Sequence, residues 1–215
     1  MNCNLRTRLS PVGWARFSCP RVQRIEEEHH CQVMSRYRRA NTAGATYFFT
    51  VVTYRRQAML CEPRIREALR DAVVSVRGKR PFEIDAWVLL PDHIHCIWTL
   101  PPGDADYPTR WGMIKRGVSM TCGEDRKRTE WISESKRKHR ESTFWQRRYW
   151  EHQIRDERDF GKHVDYIHYN PVKHGLCQRA AAWPYSTFHR DVARGIYTVD
   201  WGGIEVGTEI NGYGE

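Results

Sequence analysis

Apolar and polar positions alternate in two distinct ways along this chain, and the switches between them outline one domain. Ala45 to Tyr54 is a β-branched and aromatic run, which predicts a strand. From Pro63 to Val76 the apolar residues Ile65, Leu69, Val73 and Val76 recur at helical spacing, so an amphipathic helix follows. Phe82 to Leu90 and His93 to Leu100 predict two strands of a hairpin broken near Pro91-Asp92, and Pro101-Pro102-Gly103 closes that unit. Thr109 to Thr121 carries Trp111, Ile114 and Val118 at helical spacing, a second helix. A strand is expected within Phe144 to Ile154, around His152-Gln153-Ile154. A helix is expected from Asp156 to Tyr169, stopped by Pro171, because the residue before a proline disfavours α geometry.

Strand, helix, strand, strand, helix, strand is the order of an α+β, ferredoxin-like split βαβ fold. It implies an antiparallel sheet with helices on one face, plus the further helix from Asp156. Residues 1–42 lack a sustained apolar period, hold eight arginines, and read as a basic, poorly ordered extension; Met34 is an alternative start. The domain is expected over 43–176, with a basic insertion near 122–143, and 177–215 form an arm and a Gly-rich tail.

Composition adds a partner class. Lys and Arg number 35 against 26 Asp and Glu, a net charge of +9, which favours a polyanion such as nucleic acid. Between Arg110 and Arg148 twelve of these cations face five acids. Arg126, Lys127, Arg128, Lys136, Arg137, Lys138 and Arg140 form the dense runs; Arg55, Arg56, Lys115, Arg116, Arg147 and Arg148 are further candidates for DNA contact. Trp111, Trp131, Trp145, Tyr149 and Trp150 interleave with these charges, as suits unpaired bases, although some must be core, Trp145 and Trp150 first. No apolar run is long enough for a membrane span. Seven scattered cysteines without a C-x-x-C pair predict reduced thiols in a cytoplasmic protein.

The most informative chemistry is His93-Ile94-His95. On a strand both imidazoles share one face while Ile94 points to the other. Two readings compete: a metal site, or one exposed and one hydrogen-bonded core histidine. Tyr166 and Asn170, four apart, are neighbours on the helix from Asp156; there the alternatives are a site, or a packed Tyr with an Asn cap.

Four separated blocks then occur in order: LLPDHIHCIWTLP, FWQRRYWEHQIRDERDF, YIHYNPVKHGL and WPYSTFHR. In this the chain, from about Met34 to Val192, resembles the REP-associated tyrosine transposases, a branch of the single-tyrosine HUH family. The resemblance implies that His93 and His95 are metal ligands, that Tyr166 is the nucleophile, and that Asn170 stands where relatives place a third, amide ligand. It implies Mg²⁺ or Mn²⁺, single-stranded hairpin DNA as substrate, and a 5′-phosphotyrosine intermediate. Tyr169 and Tyr149 are the alternative nucleophiles. A monomer is favoured slightly over a homodimer. The competing functions are a non-cleaving binder of structured nucleic acid and a metal-dependent hydrolytic nuclease.

Overall fold

A computed structural model describes residues 40–123, 128–138 and 143–203, all within the unit that spans 38–215. Its strands are β1 (Thr46–Val52), β2 (Glu83–Leu89), β3 (His93–Thr99) and β4 (Trp150–Gln153); its helices are α1 (Pro63–Lys79), α2 (Tyr107–Cys122), α3 (Glu134–Lys138), α4 (Glu157–Lys173) and α5 (Phe188–Ala193). The sheet order is β2-β3-β1-β4 and every pairing is antiparallel, so the split βαβ arrangement expected from the pattern is the one observed.

Alternation along the strands divides the interior in two. Tyr47, Phe49 and Val51 of β1 and Ile94, Cys96 and Trp98 of β3 join Leu69 of α1 and Trp111, Ile114 and Val118 of α2 in the larger core. Trp98 and Trp111 stack at 4.2 Å there. The opposite face offers Phe48, Ala86, Val88, Leu90 and Ile97, against which α4 lays Val164, Tyr166 and Ile167. The helix carrying Tyr166 is therefore alone among the long helices on the face that His93 and His95 share.

Pro171 does not stop α4, contrary to the expectation from the sequence. The proline falls in the last turn, where it forfeits a single backbone bond, and packing of Asn170, Pro171 and Val172 holds the chain helical. Gly175 ends the helix instead, with φ +66; Leu176 N–H bonds Pro171 O at 2.9 Å.

The segment after α4 is bound to the sheet edge. Leu89 N–H donates to Tyr185 O and Thr187 N–H to Trp87 O, both at 2.9 Å. Arg190 donates to the carbonyls of Ile84 and Asp85. His168 of α4 meets Asp191 of α5 at 3.0 Å, fully buried. Residues 177–203 thus complete the domain rather than trail from it. The basic insertion is partly folded too, with α3 and the buried Thr143 inside it. No helix among the described residues is long and apolar enough to cross a membrane. The extension through 39, Met34 included, and the tail from 204 lie outside the described residues.

Candidate active site

His93 opens β3 and His95 follows two residues later, so alternation puts both rings on the α4 face, 4.7 Å apart between centroids. Both are buried, 2 % and 1 % exposed. Each has its Nδ1 engaged. His93 Nδ1 lies 2.6 Å from Asp92 Oδ1, and a carboxylate can only accept there. His95 Nδ1 lies 2.9 Å from Thr50 Oγ1, its neighbour across β1. Both Nε2 atoms are buried without a hydrogen-bond partner among the described residues. A ring fixed through Nδ1 with its Nε2 lone pair unspent is how a protein orients a histidine toward an ion.

Burial pushes the His95 imidazole well below its ordinary value, and the charges of His93, His174 and Lys173 add to that, so it stays neutral and able to donate its lone pair. Burial works against the Asp92 carboxylate, but the His93 hydrogen bond and the Arg56 guanidinium outweigh it and hold the acid below its usual range. Arg56 reaches Asp92 Oδ2 at 3.3 Å. Arg55 and Arg56 both adopt positive φ, 56 and 50, a conformation non-glycine residues enter reluctantly. That bend turns the chain beneath Asp92.

From the other side, α4 begins at Asp156, whose side chain accepts from Asp159 N–H at 2.8 Å. Ten residues beyond the cap, Tyr166 comes to 5.1 Å from the His95 ring. Asn170 follows one turn later. The Tyr166 hydroxyl and both amide atoms of Asn170 are buried without a partner among the described residues. Lys173 Nζ lies 5.1 Å from the Tyr166 ring centre, and the His174 ring 5.2 Å from that of His93. Sequence reasoning passed over Thr50, Asp92, Lys173 and His174. Thr50 becomes visible only through strand register, whereas Asp92 was adjacent to His93 and Lys173-His174 sat in the block with Tyr166.

The two other tyrosines lie elsewhere. Tyr169 packs toward Trp201, and Tyr149 packs with Phe49 and Trp111 on the far side of the sheet. A second group of donors, His152, Asp159 and His163, brings its ligand atoms within 4.8 Å of one another. Asp159 Oδ2 is 2.8 Å from His152 Nε2 and Asp159 Oδ1 is 3.3 Å from His163 Nδ1. The i,i+4 spacing of Asp159 and His163 was readable in the sequence; the partner on β4 was not.

Of the basic residues, Arg116, Arg128, Arg137, Lys138, Arg147 and Arg148 are exposed. Lys115 is instead spent inside the fold, donating to Gln146 O at 2.6 Å, and Lys136 is buried with Nζ 3.9 Å from the Tyr54 ring centre. Arg55 lies over Trp131 at 4.9 Å. Arg126, Lys127 and Arg140 lie outside the described residues. Trp145 is core as expected, and so is Trp111, but Trp150 is not: it is 43 % exposed. It falls on the outer strand β4, with no element beyond it among the described residues.

A buried His-x-His strand thus meets a helix-borne tyrosine on one face of a ferredoxin-like sheet, and the chain matches a known family model. Residues 41–170 fit "Transposase IS200 like", and the chain belongs to that family of transposase enzymes. Within it the chain groups with the REP-associated tyrosine transposases. It is 47 % identical over 170 residues to the REP-associated tyrosine transposase of Escherichia coli (strain K12), covering 79 % of this chain and 92 % of that one. A putative REP-associated tyrosine transposase of Haemophilus influenzae is 44 % identical over 170 residues, 79 % of this chain and 94 % of the relative. A solved REP-associated tyrosine transposase bound to a REP hairpin superposes with TM-score 0.67 at 46 % identity, covering 82 % of this chain and 96 % of that chain.

Proposed function

We propose that the protein is a metal-dependent endonuclease and strand transferase of single-stranded, REP-like hairpin DNA, working through a 5′-phosphotyrosine on Tyr166. One observation carries this reading. The Nε2 atoms of His93 and His95, the amide of Asn170 and the hydroxyl of Tyr166 are buried and lack hydrogen-bond partners among the described residues. Orphaned buried polar groups cost stability, and four on one face of one sheet suit the binding of an ion and a substrate. The relative solved with a REP hairpin supports DNA of that kind as the substrate.

Two imidazole nitrogens with an amide oxygen make a mixed N/O donor set that Mg²⁺ or Mn²⁺ accepts. His93, His95 and Asn170 would hold the ion, which when bound supplies Lewis-acid neutralisation of phosphate charge. Asp92 and Thr50 keep the two rings aimed. Tyr166, fixed on α4, attacks phosphorus: the tyrosyl O–P bond forms, the P–O3′ bond breaks, and the strand leaves as a free 3′-hydroxyl. The phosphodiester energy is retained in the protein–DNA link, so rejoining needs no nucleotide cofactor. Lys173 sets a positive charge beside the ring that must lose its proton. The exposed arginines and lysines, and the aromatic–cation cluster of Arg55, Arg128 and Trp131, would grip the backbone.

All four site groups come from one chain, and the chain's own Tyr185–Thr187 occupies the outer edge of β2. Both features support a monomer acting in cis. We assign the enzyme to the cytoplasm, where its DNA would be.

The test is a denaturing gel. Labelled single-stranded hairpin DNA is incubated with wild type or Tyr166→Phe, with Mg²⁺, Mn²⁺ or EDTA. A protease-sensitive, slow-migrating adduct that needs both metal and Tyr166 is expected. Metal-dependent cleavage persisting in Tyr166→Phe would make water the nucleophile; binding without cleavage across a panel of hairpins would leave a binding protein.

A further inference from the structure

Trp150 shares a cross-strand row with the metal-site strand. Thr50 pairs with His95 on one side and with Trp150 on the other. Side chains in such a row project to the same face. The indole therefore stands on the catalytic face, two strands out from His95, or about 10 Å at ordinary strand spacing.

It is exposed yet held. The ring lies parallel to His152, 5.8 Å away at 5°, and His152 lies parallel to His163, 4.8 Å away at 17°. Phe48 meets the indole edge-on at 5.6 Å and itself stacks on His95 at 5.5 Å. Asp159 sits between the two histidines that back it, fixing their rings. His152 covers one side of the indole, so the exposed 43 % of the residue is left to the other side and the rim. In the chain Arg147 and Arg148 precede it and Arg155 follows, all exposed, with Arg155 Nε 3.6 Å from Asp159 Oδ2.

Exposure of a single large ring is ordinary in itself; what sets Trp150 apart is that its ring is held in a stack on the catalytic face. A rigid, half-exposed aromatic face in a segment rich in exposed arginines is what an unpaired nucleobase stacks upon. We propose that Trp150 is a base-stacking subsite for an unpaired nucleotide close to the phosphate that Tyr166 attacks, with His152, Asp159 and His163 as its buttress. This rests on the reading of the protein as one that acts on single-stranded DNA. Because every base has a π-face, the subsite would position the strand without choosing its sequence. Its separation from His95 sets it beside the scissile phosphate rather than on it.

The experiment uses the full chain with Tyr166→Phe, so that binding is read without cleavage. Fluorescein-labelled hairpin oligonucleotides, blunt or with a short unpaired tail, are titrated by anisotropy. In the tailed set a single abasic site is moved through each tail position. Proteins with Trp150, Trp150→Ala and Trp150→Phe are compared, with thermal melts as the folding control. Trp150→Ala is expected to weaken tailed binding roughly 5- to 150-fold, to leave blunt binding unchanged, and to be largely rescued by Trp150→Phe. One tail position should lose affinity on base removal with Trp150 present and lose nothing further in Trp150→Ala. Identical abasic losses in both proteins at every position would overturn the subsite alone. Equal loss of blunt and tailed binding in Trp150→Ala would make the residue structural. If the Trp150 protein bound neither hairpin, the parent reading would fall and this one with it.

Discussion

Asn170 tests whether the site carries a standing energetic cost that an ion relieves. Its side chain is 0 % exposed, and neither amide atom has a hydrogen-bond partner among the described residues. A buried polar group left unsatisfied costs about 1–3 kcal/mol. Asn170→Ala removes that cost and gains up to about 0.7 kcal/mol of helix propensity. Against this stands the loss of a few packed atoms, about 1 kcal/mol if the space does not collapse. In EDTA the variant should therefore be equal to wild type or more stable by up to about 2.7 kcal/mol. For a chain of this size that is a rise of up to roughly 11 °C in Tm. Adding Mn²⁺ should reverse the order. Wild type gains about 2.7 kcal/mol at a hundredfold excess over its dissociation constant, while Asn170→Ala, short of one ligand, gains less. The assay is a thermal or urea melt of both proteins across a Mn²⁺ titration. A metal-free variant less stable than wild type by more than about 1 kcal/mol would show that the amide is satisfied without an ion. Equal metal responses would remove Asn170 from the ligand set. Either result refutes the reasoning.

Two further outcomes follow from the same geometry. Burial pushes His95, His163 and His168 below their ordinary value of 6.5, against the pull of Asp159 on His163 and of Asp191 on His168. The unfolded chain therefore takes up these protons first, so metal-free stability is held above 6.5 and lost as pH falls below it; urea midpoints from about pH 8 to about pH 5 read this, and a flat profile would contradict it. Arg55 is held at φ 56, a left-handed conformation that costs a side-chain-bearing residue about 1–2 kcal/mol. Arg55→Gly should leave stability unchanged or raise it by up to about 1 kcal/mol, yet lower DNA affinity and reduce the slope of log K against log salt by about 0.7–0.9; destabilisation with an unchanged slope would count against a DNA role.

The strand and helix order was legible because both periods are local. So was the shared face of His93 and His95, since period two requires it. Tyr166 and Asn170 were legible as neighbours through i,i+4 spacing. What failed was set by distant partners. Pro171 was read as a stop because the rule for the preceding residue is local, whereas burial of Asn170, Pro171 and Val172 carries the helix on to Lys173. Trp150 was a first candidate for the core, and only the sheet order reveals that it falls on an outer strand. The bond of Tyr185 and Thr187 to β2 joins residues about a hundred positions apart and left no trace in the periodicity. Lys115 and Lys136 were counted as free charge, and the fold uses both.

The passage of α4 through Pro171 bears on what must travel during a reaction. The helix runs unbroken past Tyr166 to Lys173, is fastened at His168 to Asp191, and has Asp165 tied to Tyr197 at 2.6 Å. Tyr166, the nucleophile proposed above, has no swing arm when mounted this way. Once joined to Tyr166, a 5′ end would stay parked opposite His93 and His95, and resealing of the original 3′ end would be the default fate. Exchange of partners would then depend on the nucleic acid rearranging on a stationary protein, so the rate of joining a new strand should follow the folding and breathing of the hairpin rather than any motion of the enzyme.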